Sequence, residues 1–325
     1  MSEVIQGLVS TIIPVYNRPQ MLREAVDSVL AQTYRPVEVI ISDDGSTDGA
    51  GAAADELARR HPEVRVVHNP NQGAGPAREA GRLLARGEFI QYLDSDDLLL
   101  PRKFEIQVEA LRRRPECGAA YGFIRLDYGD GRVLDKPYKG SGDEMPFLFP
   151  RLLIERWWNT DCPLFRRSVC DAVGPWTNLR YSQDWEYDGR VGALKTRLVH
   201  CKEYVTVQRQ HGGPRQTGHG KWLKPCDRVR FFRLLVQHAR AAGMSREAPE
   251  WDFFSKWVFL NARQSAAMGD PRAAEDLYQL ACETSDRPGT KMRLIGAAAR
   301  VLGWRATGKL CAWHDRVADA VRRRR

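Results

Sequence analysis

One segment of the chain has side chains of the right type and spacing to do chemistry. It is Phe89-Ile90-Gln91-Tyr92-Leu93-Asp94-Ser95-Asp96-Asp97, an apolar, β-prone run that stops abruptly at three carboxylates. A strand that delivers acids at its carboxyl end places them in the crevice where α/β sheets bind ligands. Carboxylate oxygens are hard donors, suited to Mg²⁺ or Mn²⁺ rather than to soft metals. Such an ion neutralises a substrate diphosphate, so the segment points to an enzyme that handles a nucleotide-diphosphate compound. Its competitor is plain: acids after a strand also serve as a solvated turn.

The elements that must position these acids are legible around them. Leu8 to Ile13 reads as a buried strand. It runs into Pro14-Val15-Tyr16-Asn17-Arg18-Pro19, where Asn17 is expected to cap a helix and Pro19 to sit in its first turn. That helix shows Leu22, Ala25, Val26, Val29 and Leu30 on one face. A second strand, Val37 to Ser42, ends in Asp43-Asp44-Gly45-Ser46-Thr47-Asp48, and a third, Val64 to His68, leads to Asn69-Pro70-Asn71-Gln72-Gly73 and a helix near Ala77 to Ala85. Alternating β and α units imply an α/β fold with a mostly parallel sheet and helices on both faces. Its polar turns then share one rim. The Gly73-Ala74-Gly75 turn lacks the third glycine of a dinucleotide fingerprint, because Arg78 stands there, so a nicotinamide cofactor is not expected.

Pro14-Val15-Tyr16-Asn17, Asp43 to Asp48, Asn71-Gln72-Gly73 with Ala77-Arg78, Leu93 to Asp97 followed by Pro101, and Gln183-Asp184-Trp185-Glu186 stand in one order along the chain. Together they resemble the family 2 glycosyltransferases of the GT-A fold, over roughly the first two thirds of the sequence. The resemblance implies that Pro14, Tyr16, Asp44, Arg78, Asp94 and Ser95 surround a nucleotide-sugar, with Asp44 accepting the imide N–H of uracil. It implies that Asp96 is the direct ligand of Mg²⁺ or Mn²⁺, that Asp94 contacts the ribose or the metal through water, and that Asp184 is the catalytic base. It also implies that His211, in an Arg-x-His stretch, completes the metal site. Glu186 is the fallback base, and Asp97 is expected to cap the next turn. The family usually has Asn after the arginine, whereas Glu79 follows Arg78 here. Each of these residues has a structural alternative: an Asx turn at Asp44, a rim aromatic at Tyr16, an Arg–Asp pair at Arg78, a helix-start acid at Asp184.

Trp185 and Tyr187 are expected to desolvate Asp184 and raise its proton affinity. The acceptor pocket is expected between Tyr121 and about Trp185. There Trp157-Trp158-Asn159-Thr160-Asp161 offers either rings for a sugar or ordinary core.

The 325 residues, 43% hydrophobic and 28% charged, suit a folded enzyme of about two domains. The expected parts are 1–120 for nucleotide-sugar binding, 121–220 for acceptor binding, and 221–325 as a basic helical region. No apolar stretch approaches the ~18 residues of a membrane span, and the first residues lack the pattern of a secretory signal. Seven cysteines without Cys-x-x-Cys imply neither a disulfide framework nor a zinc site, so a cytoplasmic location is expected. From Lys221 onward the chain has 21 Lys and Arg against 11 Asp and Glu, +10 of a total +9. Leu310, Trp313, Val317 and Val321 mark a basic amphipathic helix from about Lys309 to Arg325. Such a helix suits peripheral contact with an anionic membrane, or a homodimer or domain contact. No aromatic-basic recognition motif supports nucleic acid.

The expected activity is inverting transfer of a sugar, from a UDP-sugar in preference to another nucleotide sugar, to a hydroxyl of a glycan or lipid-linked acceptor in bacterial surface glycan synthesis. A sugar-1-phosphate nucleotidyltransferase would need a Gly-rich loop after the first strand, which Pro14-Val15-Tyr16-Asn17 does not provide. A non-catalytic glycosyltransferase-like binding module has no need of Asp94, Asp96 and Asp184 together.

Overall fold

The computed structural model describes residues 4–212, 225–285 and 288–322. The chain divides into two compact units, Met1–Leu148 with Arg156–Gln216, and Phe149–Glu155 with Thr217–Arg325. The second unit therefore also takes 149–155 from inside the segment 121–220.

The first unit runs β1 (Ile5–Val15), α1 (Pro19–Leu30), β2 (Val37–Asp43), α2 (Ala50–Arg60), β3 (Val64–His68), α3 (Ala74–Leu84), β4 (Gly87–Tyr92), β5 (Leu98–Leu99), α4 (Lys103–Arg113), β6 (Cys117–Asp127), β7 (Leu164–Arg166), α5 (Arg167–Val173), α6 (Gln183–Ala193) and β8 (Arg197–Arg209). The strands form one sheet in the order β3-β2-β1-β4-β7-β6-β8-β5. β3, β2, β1 and β4 are mutually parallel, and β6 is parallel to β8. β7 and β5 join antiparallel. A mostly parallel sheet flanked by helices is the architecture expected from the alternating units.

The strands exist because both of their faces are covered. All seven residues of β2 are buried, as befits a central strand between two helical layers. Val9, Ile13 and Val15 of β1 meet Leu22, Val26 and Val29 of α1, Leu57 of α2, and Phe104, Val108 and Leu111 of α4 in one apolar core. Ile12 faces the other way, onto α3, where Gly81 leaves room for it: a Cβ there would lie 2.6 Å from Ile12 Cγ2. The buried acid on β2, Glu38, is held by Ser10 Oγ at 2.6 Å, the Arg86 amide at 2.7 Å and the Arg86 guanidinium.

Asn17 does not cap α1. Arg18 occupies the cap position and makes no side-chain capping bond. Asn17 instead adopts φ 54° and spans two loops. Its amide donates to Ser46 Oγ at 3.0 Å, and its Oδ1 accepts from the Thr47 amide at 2.7 Å. The turn after β1 is thus tied to the turn after β2.

The second unit is helical: α7 (Pro225–Ala241), α8 (Glu250–Ala267), α9 (Pro271–Glu283) and α10 (Thr290–Arg322), the last interrupted at Gly303 with φ 78°. The basic helix expected at Lys309–Arg325 is the later part of α10 as far as Arg322; Arg323, Arg324 and Arg325 lie outside the described residues. Among the described residues no helix is long and apolar enough to cross a membrane.

Gly75, in the first turn of α3, sits against backbone: a Cβ would lie 2.2 Å from the Thr177 carbonyl oxygen. Gly75→Ala should therefore lower stability by about 1–3 kcal/mol, since the obstacle cannot rotate away. Denaturant unfolding measures this, and an unchanged midpoint would show that the 177 loop is free to move.

Candidate active site

Every turn at the carboxyl ends of β1 to β4 is joined to a neighbour. Pro14 is buried in β1 opposite Ser42 of β2, and Tyr16 stands half-exposed just beyond the strand. Asp44 is buried, and its two oxygens accept from the amides of Gln72 at 2.8 Å and Gly73 at 2.9 Å. Burial pushes its pKa upward against those two bonds, with the Asp43 charge adding to it. A cleft of about 350 Å³ opens beside it, lined by Asn69, Gln72, Pro76, Ala80 and Trp176 among others. That cleft reaches Asp44 but none of the acids after β4.

The acids after β4 are each engaged by a different partner. Asp94 Oδ1 accepts from Arg78 Nη2 at 2.5 Å. Arg78 is buried, with its guanidinium 4.8 Å above the Trp176 ring and its Nε and Nη1 without hydrogen-bond partners. Asp96 Oδ2 accepts from Arg18 Nη1 at 2.6 Å and lies 3.0 Å from His211 Nε2. Burial would raise the Asp96 pKa, but the Arg18 charge and His211 outweigh it and hold it below the usual carboxylate range. Ser95 is buried within the turn.

Asp97 does not cap the following turn. It is buried beneath the acids, accepts from the Arg209 amide at 2.8 Å and shares a hydrogen bond with the carboxyl of Asp161. Burial pushes both upward: Asp161 to about 7, with the Asp94 charge adding to it and the hydrogen bond with Asp97 opposing it, and Asp97 well above its ordinary value, with the Asp161 charge adding to it. Asp161 also fixes the turn from below. Its Oδ1 accepts the Asp94 amide at 2.7 Å, and its Oδ2 accepts Asn159 Nδ2 at 2.7 Å. From the side, Arg209 at the end of β8 donates through Nε to the Asp96 carbonyl at 2.7 Å and pairs with Glu24.

Asp184 lies in the first turn of α6, where a negative charge meets the positive end of the helix dipole. Its Oδ2 is 2.9 Å from Arg156 Nη1, and its Oδ1 accepts the Trp185 amide at 2.9 Å. The expected rise in its proton affinity is not what the surroundings produce. Burial does push upward, but the charges of Arg156 and Arg78 prevail and its pKa is lowered. Arg156 also holds Asp188, one turn along the same helix, at 2.6 Å. Glu186 points elsewhere: it is buried and paired with Arg190 at 2.9 Å.

The fold therefore brings Arg78, Asp94, Asp96, His211 and Asp184 into one region, with Asp44 and Tyr16 further along the rim. Trp157 and Trp158 are fully buried core residues rather than a sugar platform. Arg18, Arg156 and Lys139 are additions that sequence reasoning missed, while Asp161, expected in the acceptor pocket, and Arg209, the arginine of the Arg-x-His stretch, take a different part by bracing the acid turn. Lys139, from the loop after β6, faces Arg156, Asp184, Asp97 and Asp161. Arg18 carried a signal as the residue next to Asn17, and Asp161 and Arg209 as members of quoted segments; Arg156 and Lys139 join the site across long stretches of chain.

Asp96 and His211 offer a hard oxygen and an imidazole nitrogen 3.0 Å apart, with Asp94 close by in the same turn, and the His211 Nδ1 is buried without a partner. That donor set fits Mg²⁺ or Mn²⁺. Asp94, Asp97 and Asp161 also place one oxygen each within 4.8 Å of one another.

A family model described as glycosyl transferase family 2 matches residues 10–171. The glycosyltransferase GlyG of Streptococcus pneumoniae is 34% identical over 125 residues, 38% of this chain and 42% of GlyG. An uncharacterized glycosyltransferase of Nostoc sp., alr2836, is 35% identical over 176 residues, 51% of this chain and 53% of that protein. The chain thus spans about half the length, or less, of the curated relatives it matches. Among solved structures, Staphylococcus aureus TarS 1–349 in complex with UDP-GlcNAc superposes with TM-score 0.71 at 16% identity, covering 94% of this chain and 92% of that one. The Pyrobaculum calidifontis mannosyltransferase PcManGT, in complex with GDP-Man and Mn²⁺, gives TM-score 0.51 at 20% identity, covering 93% and 86%. At such identities the structural likeness concerns the fold alone. Through the domain at residues 10–171 the chain belongs to the family 2 glycosyltransferases, and its first unit has their GT-A architecture.

Proposed function

We propose that the protein transfers a sugar from a nucleotide diphosphate sugar, a UDP-sugar in preference, to an acceptor hydroxyl with inversion at the anomeric carbon. The acceptor is a glycan or a lipid-linked precursor of a bacterial surface glycan, reached on the inner face of an anionic membrane by peripheral contact. The observation that carries this reading is the junction at Arg78 and Arg156. Arg78 pairs with Asp94 of the acid turn at 2.5 Å, and the same two guanidinium groups set the proton affinity of Asp184. Groups suited to a diphosphate and a carboxylate suited to an acceptor proton are therefore linked through the same guanidinium groups. The neighbours' complexes with UDP-GlcNAc and GDP-Man support a nucleotide-sugar donor.

In this reading the cleft beside Asp44 receives the nucleobase. Tyr16 covers it from the rim, while Pro14 and Ser95 shape the backbone around the nucleotide. Asp96 with His211, and Asp94 at the edge, would hold Mg²⁺ or Mn²⁺. When bound, such an ion offsets the charge of the diphosphate and of its departure. Arg18, which now pairs with Asp96, is placed to turn toward a phosphate. Asp184 is ionised across the physiological range and accepts the acceptor hydroxyl's proton as that oxygen attacks the anomeric carbon opposite the leaving diphosphate. Arg156 keeps the Asp184 carboxylate aimed.

Asp96→Ala should weaken Mn²⁺-dependent UDP binding at least tenfold, as measured by calorimetric titration with and without the ion. Unchanged affinity would remove Asp96 from the metal site. Asp184→Asn should lower transfer ~10²–10⁴-fold while leaving donor affinity intact. Because the carboxyl is held below its ordinary value, the wild-type rate should hold down to the ordinary carboxylate range and fall only beneath it. An acid limb near pH 6 would point to another base. Arg156→Met leaves Asp188 buried without its cation and should cost about 3–5 kcal/mol in denaturant unfolding. A loss well under 1 kcal/mol would mean that the carboxylates relax to water.

A further inference from the structure

The helical unit presents an apolar surface that its own packing does not use. One face of α10 is committed. Met292, Gly296 and Ala299 are buried, with Tyr278 of α9 so close over Gly296 that no side chain fits. Beyond the break at Gly303, Trp304, Thr307 and Gly308 are buried, the last against Ala266 of α8, and the Trp304 indole donates to Glu275. The opposite face is apolar as well. Leu294, Ala297 and Val301 form a helical stripe with Leu302 beside it, at 66% exposure for Leu294, 83% for Val301 and 54% for Leu302. After the break at Gly303 the next helical segment carries an exposed apolar set of its own, Ala306, Leu310 and Trp313, the last two 54% and 62% exposed. An apolar face with no internal partner, on a helix whose other face is already anchored, is a docking surface.

The charges on this helix select the partner. Between Thr290 and Trp313 the chain has five basic residues, Lys291, Arg293, Arg300, Arg305 and Lys309, and no acidic one. On a helix of 3.6 residues per turn, Lys291 borders the first stripe on one side, and Arg293 and Arg300 border it on the other; Arg305 and Lys309 border the second. Pairing with a second copy would set like charges against each other around the apolar seam. Nucleic acid would take the charges and leave Leu294, Val301, Leu302 and Trp313 in water. An anionic lipid surface takes both, with acyl chains receiving the stripe and headgroups receiving the long basic side chains that reach out from its borders.

We propose that the face of α10 from Lys291 to Trp313 seats the protein on the surface of an anionic bilayer, with Leu294, Val301, Leu302, Leu310 and Trp313 at the headgroup–acyl boundary. This deepens the peripheral contact proposed for the transferase and places it upstream of the arginine tail. It rests on that reading for its purpose, and its geometry is independent of it.

The test is flotation of the full chain with vesicles of phosphatidylcholine, with and without phosphatidylglycerol. The wild type should float with the anionic vesicles at low salt, much less with neutral ones, and release as salt rises. Leu294→Glu/Val301→Glu alters only exposed positions, so its unfolding midpoint should match the wild type while vesicle affinity falls at least tenfold. Lys291→Gln/Arg300→Gln/Lys309→Gln should lose the preference for phosphatidylglycerol. Wild-type protein that stays unbound, or a double glutamate variant that floats like the wild type, would overturn the proposal. A wild-type dimer that the glutamates split would also overturn it, by assigning the face to a second copy. Release of UDP from a soluble donor by the same variants reads the transferase separately, so a failed docking surface and a failed enzyme reading give different results.

Discussion

The crowding of carboxylates at one rim is the constraint around which the first unit is built. Asp94, Asp96, Asp97, Asp161 and Asp184 converge from the end of β4, the segment before β7 and the start of α6. Two like charges 4 Å apart near a protein surface repel by about 4 kcal/mol, so five such groups persist only if each is compensated. Two devices do this. Arg18, Arg78 and Arg156 pair with Asp96, Asp94 and Asp184, at 2.6, 2.5 and 2.9 Å. Beneath them, Asp97 and Asp161 share a hydrogen bond between their carboxyls, and burial raises the proton affinity of both. The upper acids are thus held by cations, while the pair below them is held by hydrogen bonds.

The support is assembled from distant parts of the chain, and this sets what the sequence reveals. The strands are legible because Val37 to Ser42 and Val64 to His68 are unbroken β-prone runs between turn residues, and their bounds agree closely with β2 and β3. The face of α1 is legible because Leu22, Ala25, Val26 and Val29 recur at helical spacing, and all four are buried. The acid turn is legible because carboxylates after an apolar strand are conspicuous. What packs against it is not. Asp161, Arg156 and Arg209 reach the turn across separations of 67 residues or more, or through other residues, and nothing local to them signals that. Asn17 shows the limit for local patterns too. Its type suits a cap, but the turn after β2 lies within reach and offers an amide and a hydroxyl, so the tertiary contact prevails. The tryptophan pair shows it again, because ring types alone do not distinguish a core from a sugar platform.

β8 has a part that its sequence does not announce. It is the longest strand, Arg197–Arg209, and its last residue reaches three features together: the Asp96 carbonyl, the Asp97 carboxyl and Glu24 of α1. The acid turn is thus gripped between the strand that precedes it and one that arrives more than a hundred residues later. β5, just after the turn, pairs with β8 as well. The backbone of the turn is therefore held on both sides before any ligand arrives, which is the preorganisation that charge-stabilising sites require.

The lowered proton affinity of Asp184 has a consequence for the timing of bond changes in the proposed transfer. A carboxylate stabilised by Arg156 and Arg78 is a weak base, and an alcohol is a far weaker acid than any carboxylic acid. Such a base cannot strip the acceptor hydroxyl beforehand. The proton moves only once the attacking oxygen has begun to bond to the anomeric carbon and has become acidic in doing so. Sugar departure leads, nucleophile and proton follow, and the protonated Asp184 that results sits beside two cations that favour its prompt ionisation. Water that enters as the products leave takes that proton, and the carboxylate is restored.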